Sequence, residues 1–152
     1  MSDWGYVHSG QITENAGSVT ATSNGTQPAT PGANNTKGAW VELIASTTYE
    51  AIGLIVQAFA DASSASYLLD IGIGAAGSEV PIVSDFHFQR LASAYGGSGQ
   101  PFVPVAIARG SRVSMRVATT STLALGATRV AVQLIAAGPG TPIFGRRTAT
   151  YG

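Results

Sequence analysis

The chain contains no cysteine. That excludes disulfide stapling and every cysteine-ligated metal, so stability has to come from packing or assembly, and it leaves the redox compartment open. Charge is scarce: Asp, Glu, Lys and Arg make up 11% of the residues, against about 25% in an ordinary globular chain. Histidine occurs twice, as His8 and His87, and lysine once, as Lys37. The longest apolar stretch, Ala51 to Ala60, is interrupted by Gly53 and Gln57 and falls far short of the ~20 residues that cross a bilayer as a helix. The start, Met1-Ser2-Asp3-Trp4, has neither a basic region nor an apolar run. A secretory signal and a membrane span are therefore not expected.

Scarcity extends to the usual catalytic patterns. No GxSxG elbow accompanies the many serines, and a serine triad would have to recruit His8 or His87 without a supporting pattern. His87 lies between Phe86 and Phe88, with Asp85 and Gln89 on its strand face, and no HxxxH or His-carboxylate framework surrounds it. The acids Asp61, Asp70, Glu79 and Asp85 show no spacing that separates a general acid from a base. The expectation is a protein that is not an enzyme and uses no metal or cofactor.

What is present is β patterning. At 152 residues the chain fits one domain able to bury about 70% of its unfolded surface. Residues 1–37 are rich in Ser, Thr, Asn, Gly, Ala and Gln, with Pro28 and Pro31 and no sustained period, which reads as an extended N-terminal arm. Trp4 and Tyr6 on that arm are candidate anchors, since aromatic side chains bring large buried area with a polar handle. Residues 38–137 read as a β-sandwich domain, and residues 138–152, broken by Pro139 and Pro142, as an irregular C-terminal tail. Expected strands are Trp40 to Ala45, Ala51 to Ala60, Tyr67 to Ile73, Val80 to Val83, Asp85 to Leu91, Phe102 to Ile107, Arg112 to Thr119 and Thr128 to Ile135. Eight short strands with this punctuation indicate an antiparallel, jelly-roll-like sandwich.

Zero net charge conceals an asymmetry. Residues 1–85 hold all eight acids and Lys37, residues 86–152 hold seven arginines and no acid, and the two parts carry −7 and +7. Two readings follow: cross-strand ion pairs within one sandwich, or head-to-tail complementarity between subunits. Alternation in the strand after Gly110 turns Val113, Met115 and Val117 inward and Arg112, Ser114 and Arg116 outward. Arg112 and Arg116 are thus candidate partner contacts on an exposed face. In the tail, Phe144 beside Arg146 and Arg147 combines an apolar anchor with two cations, a docking element suited to an acidic neighbour. A nucleic-acid footprint would need a net basic surface, and none is expected.

The run Leu68 to Glu79, LLDIGIGAAGSE, contains a literal GxGxxG at Gly72, Gly74 and Gly77. A dinucleotide fold would require a helix next, but Pro81 and the strand-favouring Val80, Ile82 and Val83 follow, and no acid stands about twenty residues on. The glycines read instead as a turn needing positive φ or close backbone approach. Together with Gly38-Ala39-Trp40 before it and Ile107-Ala108-Arg109-Gly110-Ser111-Arg112-Val113 after it, this run resembles a β-sandwich module of tailed-bacteriophage virion proteins. There a GxW-type strand, a DIGxGxxGxE turn and a PxGSR-type turn recur in that order. Arg109 departs from the pattern, since a small residue after proline is more usual there. The resemblance spans about residues 38 to 136 and implies a virion component assembled in the host cytoplasm. It would be a homo-oligomer, expected as a trimer, contacting the major capsid protein or other virion proteins and decorating or cementing the shell. The alternative is a tail, collar or fibre adaptor or receptor-binding module, with Tyr95 as a saccharide platform.

Overall fold

The structure is a computed structural model that describes residues 13–16, 19–20, 23–59, 65–89, 101–121 and 128–136. It is all β. Among the described residues ten strands run in chain order: β1 (Thr13–Ala16), β2 (Val19–Thr20), β3 (Ser23–Asn24), β4 (Val41–Ile44), β5 (Ala51–Phe59), β6 (Ser66–Ile73), β7 (Val80–Gln89), β8 (Phe102–Ile107), β9 (Val113–Thr119) and β10 (Arg129–Ala136). Two four-stranded antiparallel sheets, ordered β1-β10-β5-β8 and β4-β9-β6-β7, form the sandwich, and β2 and β3 make a small separate hairpin. The pairing is nested. β6 pairs with β7, β5 with β8, β4 with β9 and β1 with β10, successive pairs alternating between the sheets.

The core lies between the sheets, where the inward residues of each strand meet. Leu54, Val56, Ile107, Val130, Val132 and Leu134 from one sheet pack against Tyr67, Leu69, Ile71, Val113, Met115 and Val117 from the other. Alternation along β9 therefore holds as expected, with Val113, Met115 and Val117 fully buried. The Tyr67 ring stacks on Phe88 at a centroid distance of 4.8 Å, which closes the core on the β6–β7 side.

Three features depart from the sequence reading. Two expected strands, Val80 to Val83 and Asp85 to Leu91, are the single strand β7, and the break between them is a bulge. Leu69 pairs with Phe86 and Ile71 with Val83, so Ser84 and Asp85 together face Asp70, and Asp85 takes φ 53°. Aspartate is among the few residues that tolerate this left-handed conformation. A second departure concerns residues 1–37. β1 lies inside that stretch yet pairs residue for residue with β10 through Thr13↔Ile135 to Ala16↔Val132, and Thr26 continues the same edge at Val130. The boundary expected at 37 thus separates a strand from the sheet it completes. Polar side chains gave β1 no apolar period; the open backbone edge of β10 recruits it instead.

The third departure is on the outer face of β9 and β6. The Asn35 N–H donates to the Thr119 carbonyl (2.7 Å) and the Gly38 N–H to the Val117 carbonyl (2.9 Å), so the segment before β4 continues alongside β9. Its side chains reach across the outer face, Lys37 to Asp70 and Trp40 over Arg116, and on this face Asp70, Ser114 and Ala118 are buried.

Candidate functional site

The three motifs, far apart in sequence, converge on this outer face. The β6–β9 register places Asp70 opposite Arg116 and Gly72 opposite Ser114, and β4 sets Glu42 against Ser114 from the other side. Period-two alternation puts Asp70, Gly72, Ser114 and Arg116 on one face by the same geometry that sends their neighbours into the core.

Asp70 is the hub of the first of two ionic groups. Its side chain, 4% exposed, accepts from Lys37 Nζ (2.6 Å), from the Asp85 N–H (2.9 Å) and, through its other oxygen, from Arg116 Nε (2.9 Å). Burial by itself would raise the Asp70 pKa. The Asp85 N–H and the Lys37 and Arg116 cations outweigh it and hold the carboxyl below its ordinary value. Lys37 also donates to the Leu68 carbonyl (3.1 Å) and pairs with the exposed Asp85 carboxylate (2.8 Å). The Trp40 ring covers Arg116, whose guanidinium carbon is 4.5 Å from the ring centroid. Gly72 makes room for that ring: a Cβ there would stand 2.7 Å from Trp40.

Arg112 is the hub of the second. Its Nε donates to Glu42 (2.7 Å) and its Nη1 to Glu79 (2.8 Å), and the two carboxylates, Glu42 foremost, raise its pKa. For Glu79, desolvation pushes the pKa up, but the hydrogen bond from Arg112 and those from backbone N–H groups bring it below its usual value. Its second oxygen accepts from the Gly77 N–H (2.9 Å), closing a turn in which Gly74 and Gly77 have φ of 126° and 82°. The glycines that imitate a phosphate-binding fingerprint are therefore a strand-to-strand turn locked by a carboxylate.

Thr47 secures the neighbouring loops. Its N–H donates to the Ser111 carbonyl (2.9 Å) and its carbonyl accepts from the Gly110 N–H (2.8 Å). Its hydroxyl donates to the Ala108 carbonyl (2.9 Å) and accepts from the Ser111 N–H (3.1 Å). Loops 45–50, 74–79 and 108–112 thus form one ordered end of the sandwich. A groove of about 670 Å³ opens there, lined by Ile73, Gly74, Ala75, Ser78, Val80, Gly110, Ser111 and Arg112. A smaller recess of about 180 Å³ lies toward the other end, between Leu68, Ala118, His87 and Thr120.

Of the residues expected to contact partners, the structure places two. Arg112 and Arg116 do leave the core, and each is a half-buried member of intramolecular ion pairs. Their guanidinium groups face the acids of the N-terminal half, which is the intramolecular reading of the −7/+7 asymmetry. Trp4, Tyr6, Phe144, Arg146, Arg147 and Tyr95 lie outside the described residues. His87 is exposed on β7, and among the described residues no cluster of three His, Asp or Glu could hold a metal. Residue-level reading missed Lys37, Trp40 and Asp70 as a unit. The signals were an acid between Leu69 and Ile71, which needs partners if buried, and the single lysine three residues before a tryptophan.

Comparison of the chain with protein-family models, with curated proteins and with solved structures returned no match.

Proposed function

We propose that this chain is a non-enzymatic structural subunit of a tailed-bacteriophage virion, a jelly-roll sandwich that decorates or cements the capsid shell through protein–protein contacts. The nested strand order β1-β10-β5-β8 over β4-β9-β6-β7 supports the jelly-roll reading. The observation that carries the functional reading is the use of the three motifs. Their charged and glycine residues form an internal frame in which each carboxylate is matched to a cation. Such a frame gives rigidity and offers no open cluster of titratable groups for chemistry. A rigid body poor in free charge suits a role in which the surface is covered by neighbours. The subunit would act as a homo-oligomer, a trimer at local symmetry axes, with the major capsid protein as partner and the virion as its location.

The test is co-sedimentation of labelled protein with shells stripped of it and, separately, with isolated tails. Saturable binding to shells at many copies is the expected result. Binding only to tails at a few copies would replace it with the adaptor reading, and binding to neither would end the virion reading. Because β1 and Lys37 belong to the sandwich, the N-terminal contribution is tested by deleting residues 2–12. That deletion removes Trp4 and Tyr6 and spares the sheet.

A further inference from the structure

The two sides of the sandwich, where the strand edges lie, are finished differently. Thr26 exchanges both backbone hydrogen bonds with Val130 on β10 (2.8 and 2.9 Å), and the Gly38 N–H donates to Val117 on β9 (2.9 Å). Ala29, three residues after Thr26, comes so near Gly38 that a Cβ on Gly38 would stand 2.8 Å from the Ala29 carbonyl oxygen. Three residues extend ~10 Å, which is also the separation of packed sheets. The segment 26–38 therefore bridges the sheets on the side where β1 and β4 form the edges, and Pro28 and Pro31 within it are buried. The other two edges, β8 and β7, share the opposite side.

There, burial falls away within one strand. Leu54, Leu69 and Ile71 are 0% exposed. Their ladder neighbours Val103, Phe86 and Val83 point into the same core yet are only partly buried, as is Val105. Val80, opposite Ile73, is 63% exposed. We infer that copies of this chain pack on one another along this side, with Val80, Val83, Phe86, Val103 and Val105 of each copy facing a shared axis and covering their equivalents in its neighbours. The inference rests on the homo-oligomer part of the function proposed above and is independent of the virion; it names the surface that forms the oligomer.

Three observations favour a second copy as the occupant. The first is charge. At a symmetry axis each group meets its own equivalent, so a charged side chain there would face like charge. β8 has no charged residue, and the one acid of β7, Asp85, is paired with Lys37 on the outer face. A side without charge is compatible with itself and offers a charged partner nothing to pair with. The second is the edges. Pro81 in β7 and Pro104 in β8, with the bulge at Ser84 and Asp85, oppose the addition of a further strand, so contact is made by side chains. The third is area. Strands of ten and six residues on sheets ~10 Å apart make a side roughly 27 Å long and 20 Å wide. Two copies then bury about 1,000 Å² in all, the size at which a specific interface begins.

The test is sedimentation equilibrium of the full-length protein over a concentration series. The parent should associate, and Val80→Glu should raise its dissociation constant by about tenfold or more. Val80 is exposed in a single copy, so this variant keeps its fold, which urea denaturation checks. Leu68→Glu, at a 37% exposed position on the outer face of β6, is the control and should associate like the parent. The Val80 methyl resonances should also shift with protein concentration. An associating parent whose Val80→Glu variant associates equally well would place the contact elsewhere, overturning the inference and leaving the homo-oligomer reading in place. A monomeric parent would overturn both. In that case, Val80 methyl signals that move when residues 92–99 are replaced by a Gly-Ser linker would make the β7–β8 connection the cover.

Discussion

Asp70→Asn tests whether the frame beneath the motifs holds the sandwich together. The substitution keeps shape and one acceptor oxygen for the Asp85 N–H but removes the charge that Lys37 and Arg116 share. Removing one partner of a fully buried pair costs about 3–5 kcal/mol. Here the two cations remain 23% and 30% exposed, so water recovers part of that. With the hydrogen bonds to a charged acceptor weakened rather than lost, a net cost of about 2–3 kcal/mol is expected. For a chain of this size that corresponds to a melting temperature lower by roughly 5–10 °C. The assay is urea denaturation at pH 7, 5 and 3, with the slope checked for constancy. Asp70 has a depressed pKa in the folded state, so its contribution is complete well above the ordinary value of 3.8 and is lost as pH falls through the folded pKa. The gap between parent and variant should be the same at pH 7 and 5 and should narrow at pH 3. A variant within about 0.5 kcal/mol of the parent at pH 7 would refute the reasoning. So would a gap that widens in acid.

Further predictions address single elements of the same face. Gly72→Ala places a methyl group 2.7 Å from Trp40 and should cost about 1–3 kcal/mol, with a changed Trp40 emission read in a Trp4→Phe background. Ser114 Oγ is buried with no hydrogen-bond partner, so Ser114→Ala should be neutral or stabilising by up to about 1 kcal/mol in the same denaturation assay. At the bulge, Asp85→Gly relieves a left-handed residue at φ 53° while losing an exposed pair and should be close to neutral, whereas Asp85→Val should cost about 2 kcal/mol or more. Leu54→Ala, fully buried between the sheets, should cost about 2–5 kcal/mol; a smaller loss would mean that the inter-sheet core is looser than described.

The class of fold was legible because the inward residues of most strands are continuous apolar alternations, as in Val113, Met115 and Val117, and such patterns report the local period of the backbone. The glycine-rich turn was legible for a similar reason. Pro81 and the β-branched residues around it rule out a helix from local chemistry alone, and Gly74 and Gly77 take the positive φ that such a turn requires.

Other features were decided between elements. β1 has no apolar signature and exists because β10 presents an unpaired edge. The interruption at Ser84 and Asp85 looks like a turn in sequence, yet β6 pairs on both sides of it and absorbs it as a bulge. Arg112 and Arg116 alternate outward as the sequence dictates, but whether outward means solvent depends on what lies above them. Only the register that brings Asp70 opposite Arg116, and the segment that carries Lys37 and Trp40 across the sheet, turns two surface arginines into parts of a frame. Sequence by itself determined the period, the turn chemistry and the supply of charge. Tertiary structure decided the pairing of those charges, because a salt bridge between residues 33 or 46 positions apart is set by strand register and by no local preference of the chain.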